Sequence, residues 1–353
     1  MSDVHRFLVT GGAGFIGSHL VTALLVRGHE VVVLDDLSTG RRENLEAAVA
    51  AALEATSAPN APDRLQFVEA SILDAGSLAE AVDGVAGVLH QAAIPSVPRS
   101  FADPAGTMRA NVEGTTLLLE ACRRAGVRRI AMASSSSIYG DTPVLPKEES
   151  MEPTPMSPYA LSKLSAEQVG GIFARSYGQQ VYALRYFNVF GPRQDPTSEY
   201  SAVIPKFITR MMAGEAPVIF GDGGQSRDFT YIDDVVAANL MALDAGRESA
   251  GEAPGGGTGT RRGAAEGSAT ESDGGCFHVV NIGGGRRYTL IELVAALNEI
   301  LGTDLTPEHA DPRPGDVRHS HAAIDRARDV LGYAPAVSFE EGLRRTVESF
   351  RGD

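Results

Sequence analysis

Residues 6–17 read Arg-Phe-Leu-Val-Thr-Gly-Gly-Ala-Gly-Phe-Ile-Gly, and this stretch decides the fold. Phe7–Val9 is a short, continuously apolar run, the pattern of a strand buried on both faces. Glycines follow at once, and a helical pattern, Phe15–Arg27, begins among them and closes at Gly28. Strand, glycine turn and helix in that order open a dinucleotide-binding unit. Glycines permit the tight turn and let backbone amides approach a pyrophosphate, whose charge the helix N-terminus favours. The next apolar run, Val31–Leu34, delivers Asp35 at its end. A carboxylate there accepts hydrogen bonds from adenosine ribose hydroxyls and repels a 2′-phosphate, so NAD is expected rather than NADP. Arg41 and Arg42 could receive such a phosphate, but they read better as a solvated helix start.

Outward from this unit the rhythm continues. Leu65–Val68, Val88–Leu89, Ile130–Ala133 and Val181–Leu184 read as further buried strands. Helical patterns lie between them at Glu43–Glu54, Leu78–Val82, Met108–Ala125 (closed by Gly126) and Tyr159–Tyr177 (closed by Gly178). Such alternation builds right-handed crossovers and a parallel sheet covered on both faces. The fold class is therefore α/β, a doubly wound Rossmann parallel sheet with a smaller C-terminal substrate-binding lobe. The expected division is a cofactor-binding domain over residues 1–188 and a lobe over 189–353. Residues 233–245 and 276–282 are expected to return to the first domain. After Arg185 the prolines and the Gly221–Gly224 cluster imply shorter elements, though Val235–Leu243 and Leu290–Leu301 read as helices and Phe277–Ile282 as a strand. Residues 246–275 carry hardly any large apolar side chain and read as a flexible insertion.

Composition narrows the function. The 353 residues suit about two domains. A 43% hydrophobic share with 22% charged residues is that of a globular chain. A net charge of −14 argues against a nucleic-acid partner. No run reaches the ~20 apolar residues of a membrane span, and the first strand begins too early for a signal peptide. Two cysteines, Cys122 and Cys276, cannot build a disulfide framework, so a reducing cytoplasm is expected. His319 and His321 flank Ser320 without a third ligand candidate, and no metal is expected.

Tyr159 and Lys163 carry the chemistry. Spaced i, i+4 near the start of a helix, they share one face. With nine tyrosines and only three lysines in the chain, this pairing is unlikely by chance. An ammonium beside a phenol stabilises the phenolate, a nicotinamide cation adds to the effect, and together they are expected to bring the Tyr159 pKa down toward neutrality, making a general base for a sugar hydroxyl. Upstream, Ile130–Ala133 runs into Ser134, Ser135, Ser136 and Ser137. Strand C-termini face the ligand crevice in such sheets, so one of these hydroxyls can bond the reacting oxygen.

Thr-Gly-Gly-Ala-Gly-Phe-Ile-Gly (10–17), Ser-Ser-Ser-Ser-Ile-Tyr-Gly (134–140), Ser-Pro-Tyr-Ala-Leu-Ser-Lys (157–163) and Arg-Tyr-Phe-Asn-Val-Phe-Gly-Pro-Arg (185–193) together resemble the extended short-chain dehydrogenase/reductases. Within these the chain most resembles the NAD-dependent UDP-hexose 4-epimerases, over about Phe7 to Leu331 apart from the insertion. The resemblance implies Tyr159 as base, Lys163 as its electrostatic partner, and Ser135, assisted by Ser136, as the catalytic hydroxyl. It implies a cofactor site of Gly11, Gly14, Phe15, Ile16, Gly17, Asp35, Asp36, Ser71, Ile72, Gln91, Ala92, Ala93, Asn111, Tyr159, Lys163 and Tyr186. Ser71 stands where the family usually has an aspartate facing the adenine amino group, and a serine accepts that bond more weakly. For the UDP-sugar it implies Ser96, Ser135, Asn188, Val203, Ile204, Phe220, Arg227, Arg313, Asp316 and Ser320, the two arginines holding the diphosphate. A homodimer is also implied.

Several reactions fit this set. In a 4-epimerase, Tyr159 deprotonates the 4-hydroxyl as C4 is oxidised, the 4-keto sugar turns over, and hydride returns to its other face. A 4,6-dehydratase needs an extra acid and base, which related enzymes place straight after the catalytic Ser/Thr, where this chain has Ser136 and Ser137. A UDP-glucuronate 4-epimerase or decarboxylase, and a non-catalytic NAD or nucleotide-sugar binding protein, are the alternatives. The resemblance also places Ser320 at a size gate, where a bulky tyrosine restricts the site to plain hexoses. Serine leaves room for an acetamido group, so UDP-GlcNAc and UDP-GalNAc are the expected pair, with UDP-Glc and UDP-Gal also admitted.

Overall fold

In the computed structural model residues 4–56, 60–196, 202–248, 274–311 and 317–352 are described. The strands of the first unit are β1 (Arg6–Thr10), β2 (Glu30–Asp35) and β3 (Leu65–Glu69), separated by α1 (Phe15–Val26) and α2 (Arg42–Thr56). Next come α3 (Ala75–Ala81), β4 (Gly87–His90), the short helices α4 (Val97–Ala102) and α5 (Pro104–Met108), α6 (Gly114–Ala125), β5 (Arg129–Ser135), α7 (Pro158–Tyr177) and β6 (Gln180–Tyr186). The remainder comprises β7 (Val189–Phe190), α8 (Val203–Met212), β8 (Val218–Phe220), β9 (Ser226–Asp228), β10 (Thr230–Tyr231), α9 (Ile232–Glu248) and β11 (Cys276–Ile282). It closes with β12 (Arg287–Thr289), α10 (Leu290–Leu301), β13 (Glu308–Ala310), α11 (Asp325–Leu331) and α12 (Phe339–Arg351).

Seven strands form one sheet in the order β11-β6-β5-β4-β1-β2-β3, and every pairing in it is parallel. The doubly wound expectation is met. Order reverses between β1 and β4, so the crevice opens where the strand ends of both halves diverge. Leu8, Val32, Leu34, Val88, Ile130, Met132, Val181 and Ala183 pack on one face beneath α3, α6 and α7. Phe7, Val9, Val31, Val33, Leu89, Ala131 and Leu184 face the other way, toward α1, α2 and α9. The strands are apolar on consecutive residues because both faces are covered.

That second core runs on without a break into the C-terminal elements through Ile204, Phe207, Ile219, Tyr231, Leu293, Phe339 and Leu343. β11 pairs with β6 along its whole length, Cys276 opposite Gln180 and Ile282 opposite Tyr186, and α9 packs on α1. Residues 249–273, most of the expected insertion, lie outside the described residues, as do Arg313 and Asp316.

One expected helix is interrupted. Met108–Ala125 divides into the end of α5, a π-helical turn over Arg109–Glu113, and α6. Pro104 starts a helix of its own, capped by the Asp103 carboxylate accepting from Gly106 N. Pi turns of this kind favour functional neighbourhoods, and here the turn carries Asn111.

Candidate active site

The strand C-termini open into a cleft of about 1700 Å³. A single drug-sized ligand occupies roughly 300–1,000 Å³, so this volume accommodates two ligands end to end.

Gly11, Gly14, Phe15, Ile16 and Gly17 line one end. Gly11 sits at φ +68°, and a Cβ on it would come within 2.6 Å of Ala92 N. A Cβ on Gly17 would come within 2.1 Å of Gly11 O. The turn therefore closes tightly enough for only glycine, and α1 begins with no side-chain cap. Its first amides are left for a ligand, the donor set a pyrophosphate uses. Asp35 and Asp36 line the adjoining wall. Asp35 is buried, and its two oxygens accept from Ala13 N at 3.0 Å and Leu37 N at 2.8 Å. Burial pushes its carboxyl up while those two bonds pull it down. Arg41 pairs with Asp195 at 2.5 Å, and Arg42 pairs with Glu69 while lying 5.0 Å over the Phe67 ring. Both arginines thus face carboxylates, which fits a cofactor without a 2′-phosphate. Ser71, Ile72, Gln91, Ala92 and Ala93 complete this half of the wall.

The middle of the cleft holds the candidate chemistry. Ser157 caps α7 by accepting from Ala160 N at 3.1 Å, and Pro158 fills the first helical position. That start sets Tyr159 in the first turn and Lys163 one turn below, both on the cleft with Ser134, Ser135, Ser136 and Ser137. Ser135 Oγ shares a 2.8 Å bond with Ser137 Oγ and accepts from Ser137 N at 3.2 Å, and its side chain pulls the Tyr159 phenol down. Lys163 Nζ donates to Ala133 O at 2.9 Å. Burial brings its ammonium down to about 8, while the Glu167 charge holds it up.

Lys163 and a nicotinamide cation together are expected to lower the Tyr159 phenol; in the chain by itself burial pushes it up, and the Ser135 side chain only partly offsets that. The reason is desolvation of the phenolate by the protein atoms packed around the half-buried ring. Asn111 is not among the residues lining the cleft: its side chain accepts from Ile94 N at 2.8 Å and donates to Ser162 Oγ at 2.9 Å, tying the loop after β4 to α7. Tyr186 does line the cleft. Its hydroxyl, however, bonds Asn239 and Gln91 in a buried network, and burial pushes it well up.

The far end collects Ser96, Asn188, Val203, Ile204, Phe220, Arg227 and Ser320. Asn188, at φ +32°, donates from Nδ2 to Asp228 O at 3.0 Å and to Ser320 Oγ at 3.3 Å. Arg227 donates to the carbonyls of Ser226 and Arg318. Ser96 accepts from Arg99 N as the cap of α4. His319 and His321 turn apart, to Ser226 Oγ at 2.9 Å and Gly285 O at 3.2 Å. The sequence reading missed Lys147, whose ammonium reaches Thr142 O in the cleft wall. Nothing in its local sequence marks it, because only folding brings it beside residues 321–323.

A fold of this kind and a Ser/Tyr/Lys cluster beside a glycine turn define an oxidoreduction-type site on a Rossmann sheet. Residues 7–253 match the model of the NAD dependent epimerase/dehydratase family, and the chain belongs to that family. It is an isomerase of the epimerase kind, and its cofactor is NAD. The chain is 41% identical over 350 residues, 98% of each chain, to a UDP-glucose 4-epimerase of Mycolicibacterium smegmatis. Among solved structures it resembles a UDP-N-acetylglucosamine 4-epimerase from Methanobrevibacter ruminantium, determined with UDP-N-acetylmuramic acid, at 36% identity and a TM-score of 0.83 over 99% of both chains. It also resembles a UDP-glucuronic acid 4-epimerase from Bacillus cereus, determined with UDP-glucuronic acid and NAD, at 30% identity and a TM-score of 0.80, over 98% of this chain and 99% of that one.

Proposed function

We propose that this protein is a UDP-sugar 4-epimerase whose favoured pair is UDP-GlcNAc and UDP-GalNAc, with UDP-Glc and UDP-Gal also accepted. The observation that carries it is the meeting, in one cleft, of Tyr159, Ser135 and Lys163 with the glycine turn on one side and the Asn188–Ser320 pair on the other. NAD bound here would supply the hydride chemistry at C4, with Gly11, Gly14, Phe15, Ile16 and Gly17 holding its pyrophosphate and Asp35 its adenosine ribose. Tyr159 takes the proton of the 4-hydroxyl and gives it back after the 4-keto sugar has turned. Ser135 bonds the reacting oxygen, with Ser136 beside it. Lys163, positively charged below about pH 8, stabilises the Tyr159 phenolate against the burial that opposes it.

Asn188, Val203, Ile204, Phe220 and Arg227 hold the UDP-sugar, Ser96 borders the sugar, and Ser320 leaves space for an acetamido group. Dehydration is disfavoured because the described carboxylates lining the cleft are Asp35, Asp36 and Asp195. All three belong to the cofactor side, and Ser136 and Ser137 follow Ser135. The second reading, a UDP-uronate, draws on the Bacillus cereus likeness and on Lys147 as a cation in the wall. Lys147 already donates to Thr142 O, which weakens it as a carboxylate ligand. A homodimer in the cytoplasm completes the proposal. Exposed Phe101, Leu161 and Ile172 supply apolar surface for a second copy.

Incubating the purified protein with UDP-GlcNAc, UDP-Glc and UDP-GlcA separately, and resolving products by chromatography, tests the reading. Formation of UDP-GalNAc supports it; turnover of UDP-GlcA alone overturns the substrate, and no turnover of any overturns the activity. Light scattering on the same preparation reports whether the chain is dimeric.

A further inference from the structure

Beneath the cleft, outside the residues that reach a ligand, lies a buried acid–base pair. Glu167 stands one helical turn after Lys163 on α7, and Arg185 stands on β6 opposite Ser134 of β5. Arg185 holds the Glu167 carboxylate with two bonds, Nε to Oε1 at 2.9 Å and Nη2 to Oε2 at 2.8 Å, and each side chain is 4% exposed. Ser134 Oγ adds a 2.5 Å bond to Glu167 Oε1. One carboxylate therefore ties the helix that carries Tyr159 and Lys163 to the strand that carries Ala133, the carbonyl receiving Lys163, and Ser135. The Arg185 guanidinium lies 4.8 Å over the Tyr139 ring. Tyr139 in turn donates to Asn281 Oδ1 at 2.7 Å, and Asn281 Nδ2 holds the carbonyls of Lys147 and Ala323 at 2.8 and 3.2 Å.

We propose that Glu167 is a positioning residue for catalysis: through Ser134 and Arg185 it fixes Lys163 and Ser135 in register. The inference rests on the reading of Lys163 as the partner of Tyr159. A buried ion pair by itself gives little stability over an apolar pair, so a role beyond packing is to be sought. The charges facing Lys163 are few. Glu167 raises its pKa against burial. His90, on β4, is held neutral because burial lowers it to about 3 with the Lys163 charge adding to that. Tyr159 is on the same helix, its phenol is raised by burial, and it becomes anionic only where Lys163 stabilises the phenolate. Among the described residues Glu167 is the carboxylate acting on Lys163.

The test is the pH profile of kcat in wild type, Glu167→Gln, Glu167→Gln/Arg185→Gln and Lys163→Arg. Wild type should lose activity as pH rises through the Lys163 value near 8, and Lys163→Arg should lack that limb. Glu167→Gln should move the limb to lower pH by about one unit, the scale of a single nearby charge. The double variant removes the unpaired guanidinium, so its melting temperature should recover while the limb stays displaced. Should the single variant not fold, the double variant alone carries the comparison. A limb tied to Lys163 yet unmoved in the double variant overturns the role of Glu167. A wild-type limb that persists in Lys163→Arg overturns the reading of Lys163, and this inference with it.

Discussion

Replacing Ser320 with tyrosine tests the sugar pocket, and the structure says why the ring has nowhere else to go. Ser320 N donates to Ser226 O at 3.0 Å, and Ala322 N donates to the Asp228 carboxylate at 3.0 Å. His319 Nδ1 shares a 2.9 Å bond with Ser226 Oγ. Pinned on both sides, the backbone cannot retreat, so a phenol ring at 320 must enter the cleft and break the 3.3 Å contact with Asn188 Nδ2. An acetamido group adds three heavy atoms to that corner, and overfilling a packed site costs roughly 1–3 kcal/mol. At 1.4 kcal/mol per decade, kcat/KM for UDP-GlcNAc should fall about 5- to 150-fold. UDP-Glc, which lacks the group, should fall by a few-fold at most. Parallel steady-state assays on both substrates read the difference. Equal losses for both sugars, or a wild type inert toward UDP-GlcNAc, would refute the steric argument.

Tyr159→Phe should lower kcat by about 10²–10⁴-fold while NAD and UDP-sugar still bind, because only the proton acceptor is removed; more than a tenth of wild-type turnover would show another base. Gly17→Ala places a Cβ 2.1 Å from Gly11 O. The turn must open, and NAD recovered from the denatured protein should drop at least about tenfold with a loss of roughly 1–3 kcal/mol in stability; normal NAD content would mean that the turn yields freely. His90 is bonded on both nitrogens, to Thr10 Oγ1 at 2.7 Å and Thr115 Oγ1 at 2.9 Å, and its pKa is lowered to about 3. The unfolded chain takes up a proton below about pH 6.5 that the folded chain refuses, so stability is full above that pH and declines by roughly 1.4 kcal/mol per unit as pH falls. Urea midpoints at pH 7, 6 and 5 should therefore converge between wild type and His90→Gln; parallel lines would show that His90 charges in place.

The sequence by itself determined the sheet and half the site, because those features are local. A strand buried on both faces must be apolar at consecutive residues, and each of the six runs read that way is a strand of the seven-stranded sheet. The glycine turn requires Gly11 and Gly17 wherever a helix starts that close to a strand. Ser157 and Pro158 start α7, and the four-residue spacing then sets Tyr159 and Lys163 on one face. What folding alone decided involves distance in the chain. No local pattern tells that Asn188 meets Ser320, 132 residues on, or that Lys147 makes an isolated bridge to Ala322. The sequence offers Asn111 as a cofactor ligand, and only the tertiary structure shows its amide bonded to Ile94 and Ser162. The phenol of Tyr159 is likewise raised by burial that the i, i+4 spacing could not reveal. Glu167 was legible as one more turn of α7, but its meaning appears only when β6 brings Arg185 across to meet it, since the energy of a buried charge depends on what surrounds it and not on its place in the chain.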